Sequence, residues 1–145
     1  MRLFDTHAHL LDDRFEQDRN ALIASFPESG IAGFVEACVE ANDIPKIQGL
    51  TLLYDFVYGS AGIHPHSANT ADNTNLLRVE RALEQKKIVA VGEIGLDYHY
   101  DFSPREAQRE AFANQLDLAV QTKKPVIVHD REAHGDVMSM LSARR

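Results

Sequence analysis

At 145 residues, with 44% hydrophobic and 26% charged residues, the chain has the composition of a folded globular domain, and a single domain over 1–145 is expected. Its net charge of −7, from 22 acidic against 15 basic residues, argues against a broad electrostatic footprint on nucleic acid, although bound divalent cations could still meet a few phosphates locally. The lone Cys38 leaves no disulfide framework or thiolate zinc cluster. No apolar run approaches the roughly 18–20 residues of a membrane span, and the start MRLFDTHAHLLDD is not a signal peptide, so cytoplasm is the expected compartment.

Five short apolar runs, each ending in small or polar residues, read as strands: Arg2–His9, Gly33–Val39, Val57–His64, Ile88–Leu96 and Pro125–His129. Helical spacing lies between them. Phe15, Leu22, Ile23 and Phe26 form one stripe, and Ile47, Leu50 and Tyr54 another. The clearest helix is Ser103–Val120, with Ser103 as N-cap, Pro104 at the first helical position and Glu106 completing a capping box. Its apolar stripe is Phe112, Leu116, Ala119 and Val120.

Strand ends at His9, Val39, His64, Glu93 and His129 are 30, 25, 29 and 36 residues apart, close to one strand–helix unit each. Repeated units of this kind imply parallel strands joined by crossovers, which begin an open doubly wound sheet and a closed barrel alike. Ligands arriving from strands one, four and five must converge on one mouth, which favours the barrel. A closed barrel needs eight units and about 250 residues. The expectation is therefore an α/β fold of the TIM type, incomplete, with about five of eight strand–helix units. Five strands leave two open edges and an inner face without its usual packing partners. Self-association, or a partner covering those edges, is expected for the isolated chain, along with marginal stability.

His7 and His9, two apart on a strand, project from one face at the end where barrel active sites sit, and two imidazoles on a rigid segment make a metal clamp. Glu93 ends a run in which it alternates with Val91 and Val89, so its carboxylate faces the barrel mouth, where it needs a metal or a basic partner. His129 ends the fifth run in the same way. Taken singly, each has a bland alternative: a polar strand end, a structural ion pair, a buried histidine bonded to a carbonyl. Together, three strands deliver imidazole or carboxylate ligands at one level. That points to a divalent-metal site, with Mg²⁺, Mn²⁺ and Zn²⁺ left undistinguished. A carboxylate bridging two such ions would support in-line attack on phosphorus.

The segments FDTHAHL, GIHPH, VGEIGLDYHYDFSPREAQREAF with QLDLA, and KPVIVHDREAH resemble the TatD family of metal-dependent deoxyribonucleases, within the amidohydrolase-like barrel superfamily. They span residues 4 to 134 in order. The resemblance implies that His7 and His9 bind one ion, that Glu93 bridges, that His129 binds the second, and that DNA ends are hydrolysed with Mg²⁺. The family also takes a histidine from strand six and an aspartate from strand eight. The sequence runs to Arg145, after the helix that follows strand five, so those two ligands have no counterpart in it. His134, on that helix, is a poor substitute.

Further candidates surround this set. His64, in GIHPH, points inward if its register follows Gly62 and Ser60, and is a candidate catalytic residue that touches the phosphate or leaving group; solvent is expected for His66. Asp5 shares a face with His7 and could orient its ring. Arg131 could clamp a phosphate oxygen, and Tyr98, on a loop after strand four with Asp97 and His99, could stack a base. Each of these also has an ordinary structural reading, as a hydrogen bond or surface salt bridge. Three functional readings stay open: a metal-dependent deoxyribonuclease, an ester or amide hydrolase of the same superfamily, and a non-catalytic fragment that binds metal partially or pairs with another chain.

Overall fold

The structure, a computed structural model, describes residues 2–144. Strands and helices alternate: β1 Leu3–Ala8, α1 Arg19–Ser25, β2 Ile31–Glu36, α2 Ile44–Leu53, β3 Val57–Ala61, α3 Asn73–Leu83, β4 Ile88–Asp97, α4 Arg105–Thr122, β5 Val126–Arg131 and α5 His134–Ser142. All five strands are parallel and pair in the order β1-β2-β3-β4-β5. That order decides the fold. A doubly wound sheet reverses its strand order at a switch point, whereas a barrel wall adds each strand beside the last. The molecule is thus five units of a (β/α)-barrel wall, open along β1 and β5.

The main core lies between the sheet and its covering helices. Ile88, Val91, Ile94 and Leu96 of β4 meet Val79, Ala82 and Leu83 of α3 and Phe112, Leu116 and Ala119 of α4. A smaller cluster joins Ile23 of α1, Phe34 of β2, Leu50 of α2 and Val57 of β3. The sheet's other face carries no such cover. Phe4, Val35, Tyr58, Val89 and Ile127 line a trough of about 590 Å³ there, and Phe4 is half exposed.

Several boundaries differ from the sequence reading for physical reasons. β1, β2 and β3 end before His9, Val39 and His64, which therefore sit in the loops just beyond their strands. β4 runs on past Glu93 to Asp97, because its pairing with β5 continues through Ile94–Val128, Gly95–His129, Leu96–Asp130 and Asp97–Arg131. Asp97 is consequently a strand residue, not a loop residue. Gly95 allows the close approach: at φ 148° it adopts a conformation other residues avoid, and a Cβ there would stand 1.9 Å from the His129 carbonyl oxygen.

The capping box at Ser103 does not form. α4 begins at Arg105, and the Ser103 hydroxyl instead donates to the His66 carbonyl and accepts from the Asn69 N–H, tying the loop after β3 to the helix start. Val120, placed on the apolar stripe by spacing, is exposed near the helix end. Buried Gln108 and Gln115 share the inner face of α4 with Phe112 and Leu116. α3 carries an apolar stripe of Leu76, Val79 and Leu83 at helical spacing that the sequence reading did not single out.

Candidate metal centre

The polar groups at the carboxyl ends of the strands are held by backbone contacts that fix where each side chain can go. Glu36, at the end of β2 and buried, accepts the N–H groups of Leu10 and Leu11 at 2.9 and 2.8 Å and so shapes the turn that follows His9. Burial pushes its carboxyl above the ordinary range, opposed by those two amides. Gln115 of α4 accepts the Ile63 N–H at 2.7 Å and donates to the Ile63 carbonyl at 3.1 Å, fixing the backbone beside His64. Gln108 does the same for Asp97, at 2.8 and 3.0 Å. A well-packed helix thus uses two side-chain amides to hold the ends of two strands.

Three of the sequence candidates meet at the first position. His7 Nε2 lies 3.0 Å from His9 Nε2 and 3.0 Å from Glu93 Oε2, and His9 Nε2 is 3.2 Å from that same oxygen. Atoms that each lie about 2.0–2.1 Å from one ion are separated by about 3 Å at adjacent corners of a tetrahedron or octahedron. The spacing and the donor set therefore fit a divalent cation. Hydrogen bonding to Glu93 raises the pKa of His9 against the effect of burial, with the Ala37 backbone also bonded to the ring. Asp5 does not orient either ring, because its carboxylate accepts the backbone N–H of His7 at 3.0 Å.

The second carboxylate oxygen of Glu93 faces the other strands. Its Oε1 lies 3.2 Å from His129 Nδ1 and 3.9 Å from His64 Nε2. Burial would raise the Glu93 carboxyl, but bonds to His129 and His9 hold it well below the usual carboxylate range. His129 is anchored on its far side, where Nε2 donates to Asp97 Oδ2 at 2.9 Å. In the protonated ring Nδ1–H donates to Glu93; in the neutral ring the bond to Asp97 keeps the proton on Nε2 and leaves Nδ1 free for a cation, the arrangement by which carboxylates orient metal-binding histidines. Asp97 also receives His66 Nε2 at 2.7 Å on the same oxygen and the N–H groups of His99 and Tyr100 on the other. Despite burial, the Tyr100 amide and the His66 and His129 rings hold its carboxyl well below the ordinary range.

His64 is the buried exception. Its Nδ1 accepts the His66 backbone N–H at 3.2 Å, so the ring proton sits on Nε2, which faces Glu93 and His129. Burial and the neighbouring His129 push its pKa down to about 4, leaving it neutral. A neutral imidazole of this tautomer is a hydrogen-bond donor at Nε2, not a ligand there. His64, His66 and His129 also bring one ring nitrogen each within 4.8 Å of one another, a second group with metal-ligand spacing that is joined here through Asp97.

The groups of both positions, apart from His7, line a cavity of about 700 Å³ with Arg14, Tyr100 and Arg131 at its walls. The residues anticipated around the mouth divide. Arg131 reaches the cavity and lies over the Tyr100 ring at 4.6 Å. Tyr98 does not line it: its hydroxyl bonds to Asp136 and the Arg105 guanidinium covers one face of its ring at 4.4 Å. His66, expected in solvent, is half-buried against Asp97. His134 pairs with Asp130 on the surface, away from the cluster.

Sequence reasoning missed Glu36, Gln108 and Gln115, and placed Asp97 on a loop at the mouth without a role. The i, i+7 spacing of the two glutamines, interleaved with Phe112 and Leu116, was the available sign that polar residues occupied core positions.

Comparison with known proteins settles the family. A family model described as TatD related DNase matches residues 4–145. The chain belongs to the TatD family. Among TatD relatives, an uncharacterized metal-dependent hydrolase, YabD, of Bacillus subtilis is 35% identical over 139 residues, covering 96% of this chain and 54% of the relative. A TatD protein of Pantoea ananatis, named a 3′-5′ ssDNA/RNA exonuclease, is 37% identical over 135 residues, covering 91% of this chain and 51% of its own length. The crystal structure of the TatD homologue YJJV from Escherichia coli superposes with a TM-score of 0.90 at 31% identity, over 99% of this chain and 56% of that one. The chain therefore spans about half the length of the relatives it matches.

Proposed function

We propose that this chain carries the principal metal-binding part of a hydrolytic centre that cleaves phosphodiester bonds at the ends of single-stranded nucleic acid. The observation that supports the reading best is the position of Glu93. Its two oxygens face two separate donor groups, His7 with His9 on one side and His129 on the other, each within 3.0 to 3.2 Å. A carboxylate so placed can hold two divalent cations side by side, which would supply Lewis-acid activation of water and of a phosphoryl oxygen. The family and the names of its exonuclease relatives direct the choice toward phosphodiesters over carboxylic esters or amides.

In this reading the chain's own groups have distinct tasks. His7, His9 and Glu93 hold one cation, and Glu93 with His129 holds the other. His64 Nε2–H, rigid and neutral, donates to a phosphate oxygen in the cavity. Arg131 meets a phosphate further along the strand. Asp97 keeps His129 in the tautomer that presents Nδ1. The histidine of strand six and the aspartate of strand eight that the family resemblance implies have no counterpart among these 145 residues.

The test is a single-turnover assay with an end-labelled single-stranded oligonucleotide, with and without chelator. Metal-dependent shortening from the 3′ end that is lost in Glu93→Gln is the expected result. Cleavage that persists in chelator, or that is undiminished in Glu93→Gln, rejects the metal mechanism. Hydrolysis of carboxylic esters without any action on oligonucleotides favours the other enzyme class.

A further inference from the structure

The rim of the cavity carries a feature that the metal centre does not use. Tyr100 and Phe102, on the loop between β4 and α4, stack with ring centroids 5.2 Å apart and planes only 16° from parallel. Both are exposed, Phe102 by 65% and Tyr100 by 47%. Exposed aromatic pairs are costly to leave in water, and the other exposed large apolar residues of the helices, such as Leu52, Leu53 and Val120, are aliphatic.

The pair is tied to the centre rather than loose beside it. The Tyr100 N–H donates to Asp97 Oδ1 at 2.8 Å. The His66 ring packs edge-on against Phe102 at 4.8 Å and against Tyr100 at 5.6 Å. His66 shares the Asp97 carboxylate with His129. One contact chain thus runs from the cation-facing imidazole to the aromatic rim. Arg131, exposed and lining the cavity, places its guanidinium 4.6 Å over the Tyr100 ring, which sets a fixed positive charge beside the stack.

The geometry points to a nucleobase-stacking subsite on Phe102, backed by the Tyr100 ring that Arg131 covers, which takes the unpaired base of a nucleotide next to the one whose phosphate is cleaved. This deepens the nuclease reading and rests on it. An aromatic face preorganised by a neighbouring ring, with a guanidinium alongside for the phosphate, suits a flat ligand that carries negative charge. Stacking of this kind is tolerant of base identity and indifferent to the sugar, because every base offers a π-face. It requires the base to be unstacked from a duplex, so the subsite selects single strands. The sequence reading assigned base stacking to Tyr98, but one face of that ring is already covered by Arg105.

Fluorescence anisotropy with the full chain in magnesium tests this. The probes are a short single-stranded oligothymidylate whose terminal linkages are protected as phosphorothioates, and matched strands with an abasic site at each position in turn. Phe102→Ala should weaken binding of the intact strand by about tenfold, the effect of one lost stacked base. Phe102→Trp should retain it, and Phe102→Leu, which keeps apolar area without a π-face, should behave as the alanine variant. One abasic position should lose the same factor in the wild type and lose nothing further in Phe102→Ala. Equal binding by wild type and Phe102→Ala, or tight binding by Phe102→Leu, overturns the stacking subsite and leaves the nuclease reading standing. Failure of the wild type to bind either strand overturns both.

Discussion

The two sides of Glu93 are built differently. On the β1 side, His7 and His9 are about 40% exposed in their side chains and find Glu93 as the shared carboxylate. On the β3–β5 side, His64 is buried and His129 is mostly so. Asp97 grips His129, while Asp97 itself is held by two backbone amides and by Gln108 across its own peptide. One side is an exposed clamp at the end of edge strand β1, and the other is a network that ties His129 of the second edge strand, β5, to buried Asp97 and His64. The comparison teaches that identical ligand chemistry can be preorganised to different degrees. A buried polar network has one low-energy arrangement, whereas an exposed pair is restrained mainly by its partner carboxylate and by the ion it would hold.

Removing the group shared by both sides should have the largest effect. Glu93→Gln keeps the size of the side chain but removes the negative charge from both positions. Divalent-metal affinity, measured by calorimetry or by the absorption of bound Co²⁺, should fall by more than the roughly 10–100-fold typical of losing a ligand's supporting carboxylate. Circular dichroism should show the fold retained. Metal affinity equal to wild type would remove Glu93 from both positions.

The next effect sharpens the difference between the sides. Asp97→Asn should present an N–H₂ donor where Oδ2 stood, so His129 must turn its Nε2 lone pair toward it and carry its proton on Nδ1. Metal affinity should fall about 10–100-fold on the β5 side alone. The ¹⁵N shifts of the His129 ring in the metal-free chain should report the exchanged tautomer. A smaller affinity loss with an unchanged tautomer would show that Asp97 serves packing only. The corresponding change at Asp5, which touches only the His7 backbone N–H, should leave ring tautomers on the β1 side unmoved.

The smallest effect is on pH dependence. His9 and His129 have pKa values raised above 6.5, in each case chiefly by the bond to Glu93. In the metal-free chain their pairing contributes stability that is fully present below 6.5 and is lost as pH rises through the raised values. His64, lowered to about 4, acts in the opposite sense but only below 6.5, where the unfolded ring takes up a proton and the folded one does not. Thermal unfolding without metal should therefore show a higher midpoint at pH 6.5 than at pH 9, and Glu93→Gln should flatten that dependence. A midpoint that does not move, or that rises toward pH 9, would mean that the Glu93–imidazole contacts do not stabilise the metal-free fold.

Much of this was legible in the chain itself. The spacing of apolar runs set the strand–helix rhythm, and residue type singled out His7, His9, Glu93 and His129, but the register is irregular between Val91 and Ile94 and His9 lies past the end of β1, so simple alternation did not aim these side chains. Local periodicity suffices for the rhythm because each strand and helix carries its own apolar pattern, whereas a register irregularity depends on the partner strand. The start of α4 was not legible, because Ser103 satisfies His66 and Asn69 across the structure in preference to its own helix.

Partners distant in sequence belong wholly to the tertiary structure. Asp97 lies 31 residues from His66 and 32 from His129, and nothing local marks it as the anchor of both rings. The same holds for the choice between Tyr98 and the pair Tyr100 and Phe102. All three are aromatic and close in sequence, and only packing decides that Tyr100 lines the cavity, that Phe102 stacks on it in the open, and that Arg105 lies over Tyr98. Residue type and spacing determine which groups are delivered to the mouth of the sheet. Which proton each imidazole carries, and which aromatic face stays open, depends on neighbours that only folding brings into contact.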